Sequence, residues 1–255
     1  MDQIIGNLIV RLEVIDSTNN YAKQQIREND LAEGTVFLTY EQTLGRGQQQ
    51  NVWESEARQN LLFSIVLCPD FIEMRRQFQL SKVVSLGIYD AINKYVSGVK
   101  IKWPNDIYVG DRKLCGILIE NSVMNGVLNN SIVGIGLNIN QTVFRSDAPN
   151  PVSLKMLTNQ HYDCEVILTE VLSEIDKYYC MLRDGQDEWI DREFLTALYR
   201  LNEMHLYRSE DGLFEGQIIG VNEIGQLLIR KKDGKMLEFH FKEVEFLQLS
   251  EGLND

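Results

Sequence analysis

The apolar and polar positions along the chain predict strands and helices in mixed order. Residues 8–15, 35–40 and 60–67 are short runs rich in apolar residues, the pattern of buried strands. Between residues 78 and 96 the apolar positions instead recur at helical spacing, and residues 165–182 show the same period. Most of the chain therefore combines strands with amphipathic helices.

Two turn signals indicate how some of these strands pair. Gly110-Asp111 follows an apolar run at 107–109, and Asn125-Gly126 separates residues 114–123 from 127–139. Asn-Gly between apolar runs is the strongest short signal for a β-hairpin. Because hairpins join antiparallel neighbours, we predict an α+β fold, with helices packed on a mixed sheet, rather than a purely parallel sheet.

The pattern changes after about residue 203. Several short apolar runs follow, separated by the turn-like pairs Asp211-Gly212 and Asp233-Gly234 and by residues 222–225. Short strands with regular turns are typical of a small, partly closed β-barrel. We therefore predict two domains, residues 1–200 and residues 203–255.

The composition excludes several classes of function. The chain carries 25 Lys+Arg against 37 Asp+Glu, a formal net charge of −12, which argues against non-specific binding of DNA or RNA. No stretch approaches the ~18 consecutive apolar residues of a membrane-spanning helix, and the N-terminus lacks the features of a signal peptide. The four scattered cysteines indicate reduced thiols, so we predict a cytoplasmic protein without a membrane partner.

A local group of cations can still bind an anion in an acidic protein. Gly45-Arg46-Gly47 has a flexible backbone that can wrap an anion, with Arg46 as a bidentate donor, although a solvated surface loop has the same pattern. The residues that follow match neither a Walker loop nor GxGxxG. Trp53, just beyond, is suited either to stack on a base or to anchor the loop.

Further polar and cationic residues follow at 102–106, where the sequence reads KWPND. Arg112 and Lys113 come shortly after, and we expect them to converge beside Arg46, where two or three cations would neutralise a triphosphate. A solvated turn is the alternative. Gly134 to Asn138 ends a buried strand with an amide, which indicates either a close approach of ligand or a β-bulge.

Cysteine and histidine chemistry receives little support. Cys115 lies two residues from Lys113, and strict alternation along a strand would point both side chains to one face. Without a nearby histidine, a buried core thiol is favoured over a nucleophile. The three histidines have no metal-ligand spacing, so no dedicated metal site is predicted.

Taken together, these segments resemble the biotin protein ligases, which attach biotin to a lysine of carboxylase carrier domains. KWPND followed by RKLCGIL at 112–118 is the most specific part of the resemblance. The matching pieces, in the family's order, are Ser17-Thr18-Asn19, Gln42-Thr43, Gly45-Arg46-Gly47 with Trp53, residues 102–106, residues 112–120 and residues 134–140.

The resemblance implies a class II synthetase-like catalytic domain followed by an SH3-like domain. It implies that biotin and ATP form biotinyl-5′-AMP and pyrophosphate, that Mg²⁺ accompanies ATP, and that a lysine of a biotin carboxyl carrier protein then takes the biotin. Lys113, Arg46 and Asp106 would be catalytic, with Asp106 as the base for the acceptor amine. The implied biotin contacts are Ser17, Thr18, Asn19, Gln42, Arg46, Gly47, Gln48, Lys113 and Gly116, and the implied ATP contacts are Trp53, Lys102, Asn105, Arg112, Lys113 and Asn138.

Two departures from the family pattern carry expectations. The family's GRGRxGRxW reads Gly45-Arg46-Gly47-Gln48-Gln49-Gln50-Asn51-Val52-Trp53 here, and the loss of the middle glycine at Gln50 predicts a loop that holds the adenylate less tightly. The first motif begins at Ser17, which leaves no room for an N-terminal winged helix-turn-helix, so we expect no DNA binding.

Other functions and assemblies stay open from the sequence. A lipoate ligase or an octanoyl transferase of the same superfamily is the nearest rival, and a biotin binder without catalysis is another. Exposed strand edges also leave homodimerisation open.

Overall fold

The computed structural model describes residues 3–47, 51–146 and 150–247, and within them one large mixed sheet. Its spatial order is β1-β2-β3-β7-β6-β5-β4, with β1 and β2 parallel and every other pair antiparallel. This confirms the predicted α+β class. The seven strands are β1 (Ile9–Ile15), β2 (Val36–Gln42), β3 (Leu61–Leu67), β4 (Val99–Lys102), β5 (Asp106–Val109), β6 (Arg112–Met124) and β7 (Val127–Leu137).

Helices cover both faces of this sheet. On one face α2 packs against α4 and α5, and on the other α1 packs against the central strands. The side chains of β2 alternate between the two faces of the sheet. Val36 and Leu38 enter the main core, whereas Phe37 packs beside Ala22 of α1. None of the helices in the described ranges is long and apolar enough to cross a membrane. The five α-helices there are α1 (Thr18–Glu28), α2 (Phe78–Asn93), α3 (Leu154–Thr158), α4 (Cys164–Arg183) and α5 (Asp187–Ala197).

The C-terminal strands form a second, separate sheet. Its order is β11-β10-β9-β8-β12, and all its pairs are antiparallel, as the predicted small β unit requires. The domain bounds 1–200 and 203–255 stay a prediction. The strands are β8 (Met204–Ser209), β9 (Gly212–Val221), β10 (Leu227–Lys231), β11 (Met236–Phe239) and β12 (Glu245–Phe246).

The tryptophan of the KWPND segment joins the two sheets. Trp103 is buried, and its Nε1 donates to the carbonyl of Gly225 at 2.9 Å in the turn between β9 and β10. Its ring also lies 6.3 Å from that of Phe241, measured between centroids. Gly225 itself fits against Phe78, where a side chain would not, because an added Cβ would lie 2.7 Å from the ring. The C-terminal sheet is therefore held against the loop that carries the candidate chemistry.

Candidate functional site

A cleft of about 1040 Å³ lies between the large sheet and the C-terminal sheet. It gathers residues from six separate stretches of the sequence, within 17–19, 42–54, 102–118, 134–151, 199–200 and 241–246, which is the arrangement expected of a ligand site. Gln48, predicted to contact biotin, lies outside the described residues, as do Gln49 and Gln50. The predicted site residues that line the cleft are Ser17, Thr18, Asn19, Gln42, Arg46, Gly47, Trp53, Lys102, Asn105, Asp106, Lys113, Gly116 and Asn138.

Arg112 is the predicted site residue that the structure does not bring to the cleft. It begins β6, its side chain is exposed, and it is absent from the lining, whereas the adjacent Lys113 faces inward. Successive residues of a strand point to opposite faces, so two neighbouring cations cannot both enter one cleft. The expected convergence of Arg112 and Lys113 is therefore not met.

One end of the cleft is a network of neutral polar groups at the start of α1. The Thr18 backbone N–H donates to Gln42 Oε1 at 2.8 Å, and the Thr18 hydroxyl lies 3.2 Å from the same oxygen. Ser64 Oγ lies 2.7 Å from Thr18 Oγ1 and donates to Asn19 Oδ1 at 2.6 Å. Ser64 had no role in the sequence analysis, because nothing in its apolar strand marks it. The network fixes the orientation of donors and acceptors around a small polar ligand group.

Glycines of β6 and β7 form the floor. Gly116 and Gly136 pair across these strands, and both lie directly beneath the indole of Trp53. A Cβ built at Gly136 would lie 2.4 Å from Trp53 Cε2, and one at Gly116 would lie 2.8 Å from Cζ3. At Gly134 the obstruction would be Asn19 Oδ1, at 2.2 Å. These glycines allow rings and amides to lie against the sheet itself, at distances that no side chain would permit.

Lys113 and Asp106 form an ion pair in the middle of the cleft. Lys113 Nζ lies 2.7 Å from Asp106 Oδ1 and 5.7 Å from the centroid of the Trp53 ring. The Lys113 backbone is fixed on both sides, because its N–H donates to Asn150 and its carbonyl accepts from Val152, each at 2.9 Å. The cation therefore projects from a rigid strand.

A β-bulge separates Lys113 from the thiol two residues later. Tyr108 pairs with Lys113 but Ile107 pairs with Cys115, so one extra residue is inserted and the alternation shifts. Lys113 consequently faces the cleft while Cys115 is fully buried in the core. The expectation that both side chains share one face is wrong for this reason. Burial also raises the pKa of the Cys115 thiol far above its ordinary value, which disfavours a thiolate nucleophile.

Arg46 is held by a carboxylate that the sequence analysis gave no role. Its Nη1 and Nη2 donate to the two carboxylate oxygens of Glu120 at 3.2 and 3.1 Å, and Nη1 also donates to Asn20 Oδ1 at 2.8 Å. Glu120 in turn accepts from Asn19 Nδ2 at 2.9 Å. The glycine-flanked loop is thereby attached to the start of α1.

The other end of the cleft is aromatic and cationic. Lys102 Nζ lies 4.6 Å from the ring centroid of Tyr108 and 5.1 Å from that of Phe246 in the C-terminal sheet. Burial lowers the pKa of Lys102, and the attraction of Asp106 offsets only part of this effect.

Two amides near this end have different environments. Asn105 Nδ2 donates to the carbonyl of Ile117, so this amide fixes the KWPND loop to β6. Asn138 Nδ2 donates to the carbonyl of Val152 at 3.1 Å, whereas its buried Oδ1 has no hydrogen-bond partner in the described part of the chain. Asn138, a residue that lines the cleft, therefore carries a buried acceptor that the described residues leave unsatisfied.

Residues just before the C-terminal sheet and at its last turn and strand form a wall of the cleft that sequence reasoning missed. Tyr199 donates to the carboxylate of Asp111, and Arg200 Nη1 donates to the carbonyl of Leu247 at 2.9 Å. No local signal identifies these residues, since their proximity to KWPND depends on how the two sheets pack. The missed lining residues from this region are Tyr199, Arg200, Phe241, Lys242, Val244, Glu245 and Phe246.

Comparisons with known proteins agree on one family. The model of the Biotin/lipoate A/B protein ligase family matches residues 12–138. The chain is 28% identical to the bifunctional ligase/repressor BirA of Bacillus subtilis over 91% of its own length and 72% of the relative's. It is also 28% identical to the biotin--[acetyl-CoA-carboxylase] ligase of Paracoccus denitrificans, over 87% of this chain and 94% of that one.

A solved structure shares the whole architecture. The biotin protein ligase of Aquifex aeolicus in complex with biotin and ATP superposes with a TM-score of 0.79 at 26% identity, covering 95% of this chain and 99% of the other. The family model spans the cleft segments from Ser17 to Asn138, and the structural match, over 95% of the chain, extends into the C-terminal sheet. The chain belongs to the Biotin/lipoate A/B protein ligase family, among its biotin protein ligases.

Proposed function

We propose that this protein activates biotin with ATP and transfers it to a lysine of a carrier domain. The biotin carboxylate attacks the α-phosphorus of ATP, giving biotinyl-5′-AMP and pyrophosphate. The ε-amine of the carrier lysine then attacks the acyl carbon and releases AMP. The observation that carries the proposal is the position of Lys113, which lies between a neutral polar end of the cleft and a cationic, aromatic end.

The polar end suits the ureido ring of biotin. That ring has a carbonyl acceptor flanked by two N–H donors, and Thr18, Asn19 and Gln42 present fixed groups of both kinds. A neutral, preorganised network is favourable for a neutral ligand group, because no ion must be desolvated when it binds. Gly134 and Gly116 allow Asn19 and Trp53 to lie directly against the sheet, so these two side chains project less far into the cleft.

Lys113 serves the first step. Two anions, the carboxylate and the α-phosphate, must approach each other, and a fixed cation between them removes much of their repulsion. In the second step Asp106, 2.7 Å from Lys113, would accept the proton of the incoming amine. A free lysine amine has a pKa near ~10.4, so it must lose a proton to act as a nucleophile at neutral pH.

The aromatic end suits ATP. Trp53 offers a ring for base stacking, the acceptor of Asn138 matches an exocyclic amine such as that of adenine, and Lys102 lies where phosphates need a counter-charge. No group of three or more metal-ligating side chains occurs among the described residues, and Asp106 and Asp111 at this end are already paired. These residues do not fit a protein-held metal, so we expect Mg²⁺ to arrive on the phosphate oxygens of ATP.

The acceptor we propose is the biotin carboxyl carrier domain of a biotin-dependent carboxylase, modified in the cytoplasm. Support comes from the named activity of the Paracoccus relative. The absence of DNA binding stays a prediction, and homodimerisation stays open.

The test is pyrophosphate release from ATP with biotin, lipoate or octanoate as the only added acid. We expect release with biotin alone, and its loss in Lys113→Ala. Lys232→Ala removes an exposed lysine of the turn between β10 and β11 and serves as the control, since its activity should be unchanged. Release with lipoate instead would assign the protein to the lipoate branch. Biotin binding without pyrophosphate release would identify a binder that has lost its chemistry.

A further inference from the structure

Glu120 joins two parts of the site without lining the cleft itself. Its carboxylate accepts two hydrogen bonds from Arg46 and one from Asn19, so it connects the glycine-flanked loop to the start of α1. Glu120 stands at the end of the RKLCGILIE segment, yet neither the ligand contacts nor the chemistry proposed above use it.

The donors of Arg46 are only partly consumed by this arrangement. A guanidinium has five N–H groups. Nη1 uses both of its hydrogens, on Asn20 and Glu120, and Nη2 uses one on Glu120. Within residues 3–47, 51–146 and 150–247, the remaining Nη2 hydrogen and the Nε hydrogen have no hydrogen-bonded acceptor. These two lie on one edge of the guanidinium, the edge that binds a carboxylate or a phosphate bidentately.

We propose that Glu120 is a positioning residue, which holds Arg46 by one edge so that the other edge retains the acyl-adenylate in the cleft. The inference rests on the proposed function and extends it to the intermediate. An arginine held on a loop in this way has less rotamer freedom to lose when an oxyanion binds. Asn20 prevents the guanidinium from rotating about the Glu120 contact.

The exposure of the pair separates positioning from stability. The side chains of Arg46 and Glu120 are 39% and 25% exposed, and ion pairs this accessible to solvent contribute little to folding. Replacing Glu120 should therefore alter retention of the adenylate far more than it alters thermal unfolding.

The chain offers a matched control. Arg11 of β1 and Glu165 of α4 form a second bidentate pair, with N–O distances of 3.1 and 2.8 Å, and neither residue lines the cleft. Glu165→Gln and Glu120→Gln thus make the same chemical change in the same kind of pair. Only Glu120→Gln should speed the release of the adenylate intermediate.

The experiment loads each variant with biotin and ATP and measures the escape of biotinyl-adenylate into solution without a carrier. Glu120→Gln should release it about tenfold faster or more, as expected for loss of a charge-assisted contact, whereas Glu165→Gln should match the wild type. Glu120→Asp keeps the charge with a shorter reach and should fall between them. Melting temperatures of all variants should stay close to that of the wild type.

A charge swap distinguishes positioning from simple loop closure. Arg46→Glu combined with Glu120→Arg restores an ion pair but turns a negative group towards the anionic adenylate. On our proposal this double variant releases adenylate as fast as Glu120→Gln. Wild-type retention in the double variant, or in both Glu120 variants, would overturn the inference and leave biotin-dependent pyrophosphate release intact. Failure of the wild type to release pyrophosphate would instead overturn the proposed function, and the inference with it.

Discussion

Replacing Gly136 by alanine tests the glycine floor with a single methyl group. The added Cβ would lie 2.4 Å from Cε2 and 2.6 Å from Nε1 of Trp53, whereas ordinary van der Waals contacts are 3.4–4 Å. The indole must therefore move by about 1 Å or more, because strand β7 beneath it is paired on both sides. The backbone φ of Gly136 is not positive, so alanine brings no strain of its own.

The magnitude follows from what Trp53 is proposed to do. Stacking of an aromatic side chain on a base is worth about 1–3 kcal/mol, so a displaced indole should raise the KM for ATP by roughly 5-fold to 150-fold. The free energy of unfolding should change little, because Trp53 is half-buried on a loop and its Nε1 has no hydrogen bond to lose within the described residues.

The assay is biotin-dependent pyrophosphate release at varied ATP and varied biotin, with thermal unfolding measured alongside. Gly134→Ala is the natural partner variant, because its Cβ would meet Asn19 Oδ1 at 2.2 Å at the other end of the floor. It should raise the KM for biotin, while Gly136→Ala raises the KM for ATP. The reasoning is refuted if Gly136→Ala folds normally with an unchanged KM for ATP, or if the two effects are exchanged.

Three further outcomes are expected. Because burial lowers the pKa of Lys102, this lysine loses its charge at a lower pH than an exposed lysine does, so the KM for ATP should rise early on the alkaline side. Lys102→Gln should have a high KM for ATP that varies little with pH. Parallel plots of KM against pH for the wild type and this variant would contradict the expectation. Cys115→Ala should cost about 1 kcal/mol of stability with kcat unchanged, and a large loss of kcat in the folded variant would revive a thiol mechanism. Trp103→Phe removes the hydrogen bond to Gly225, so it should lower the free energy of unfolding by about 1 kcal/mol and raise the KM for ATP. An unchanged KM for ATP would show that the C-terminal sheet is not needed at the aromatic end of the cleft.

Local patterns predicted the local structure well. The helical spacing at 78–96 and 165–182 corresponds to α2 and α4, and the Asn125-Gly126 signal is a turn with positive φ at both residues. Hydrophobic periodicity and turn signals depend on a few neighbouring residues, so they can be recognised without knowledge of the fold. The same reading did not predict β4 at the sheet edge or α5, whose patterns are short.

Most residues of the cleft could also be identified from the sequence, although the directions of their side chains could not all be predicted. The motifs containing Thr18, Trp53 and Lys113 could be identified because chemistry restricts their residue types, and the structure places them in one cleft. Their individual roles stay predictions. The direction of a side chain was less predictable, since Arg112 points outward and a bulge turns Cys115 into the core.

The sequence by itself determined most of the helices and strands, the fold class and the set of motifs, because these depend on local periodicity and on residue chemistry. Only the tertiary structure decided which groups meet. Glu120 reaches Arg46 across the sheet, Trp53 lies on Gly116 and Gly136, and the C-terminal sheet closes one side of the cleft. Such contacts join residues far apart in the chain, and they are set by strand register and the packing of one sheet on another, which no local pattern encodes.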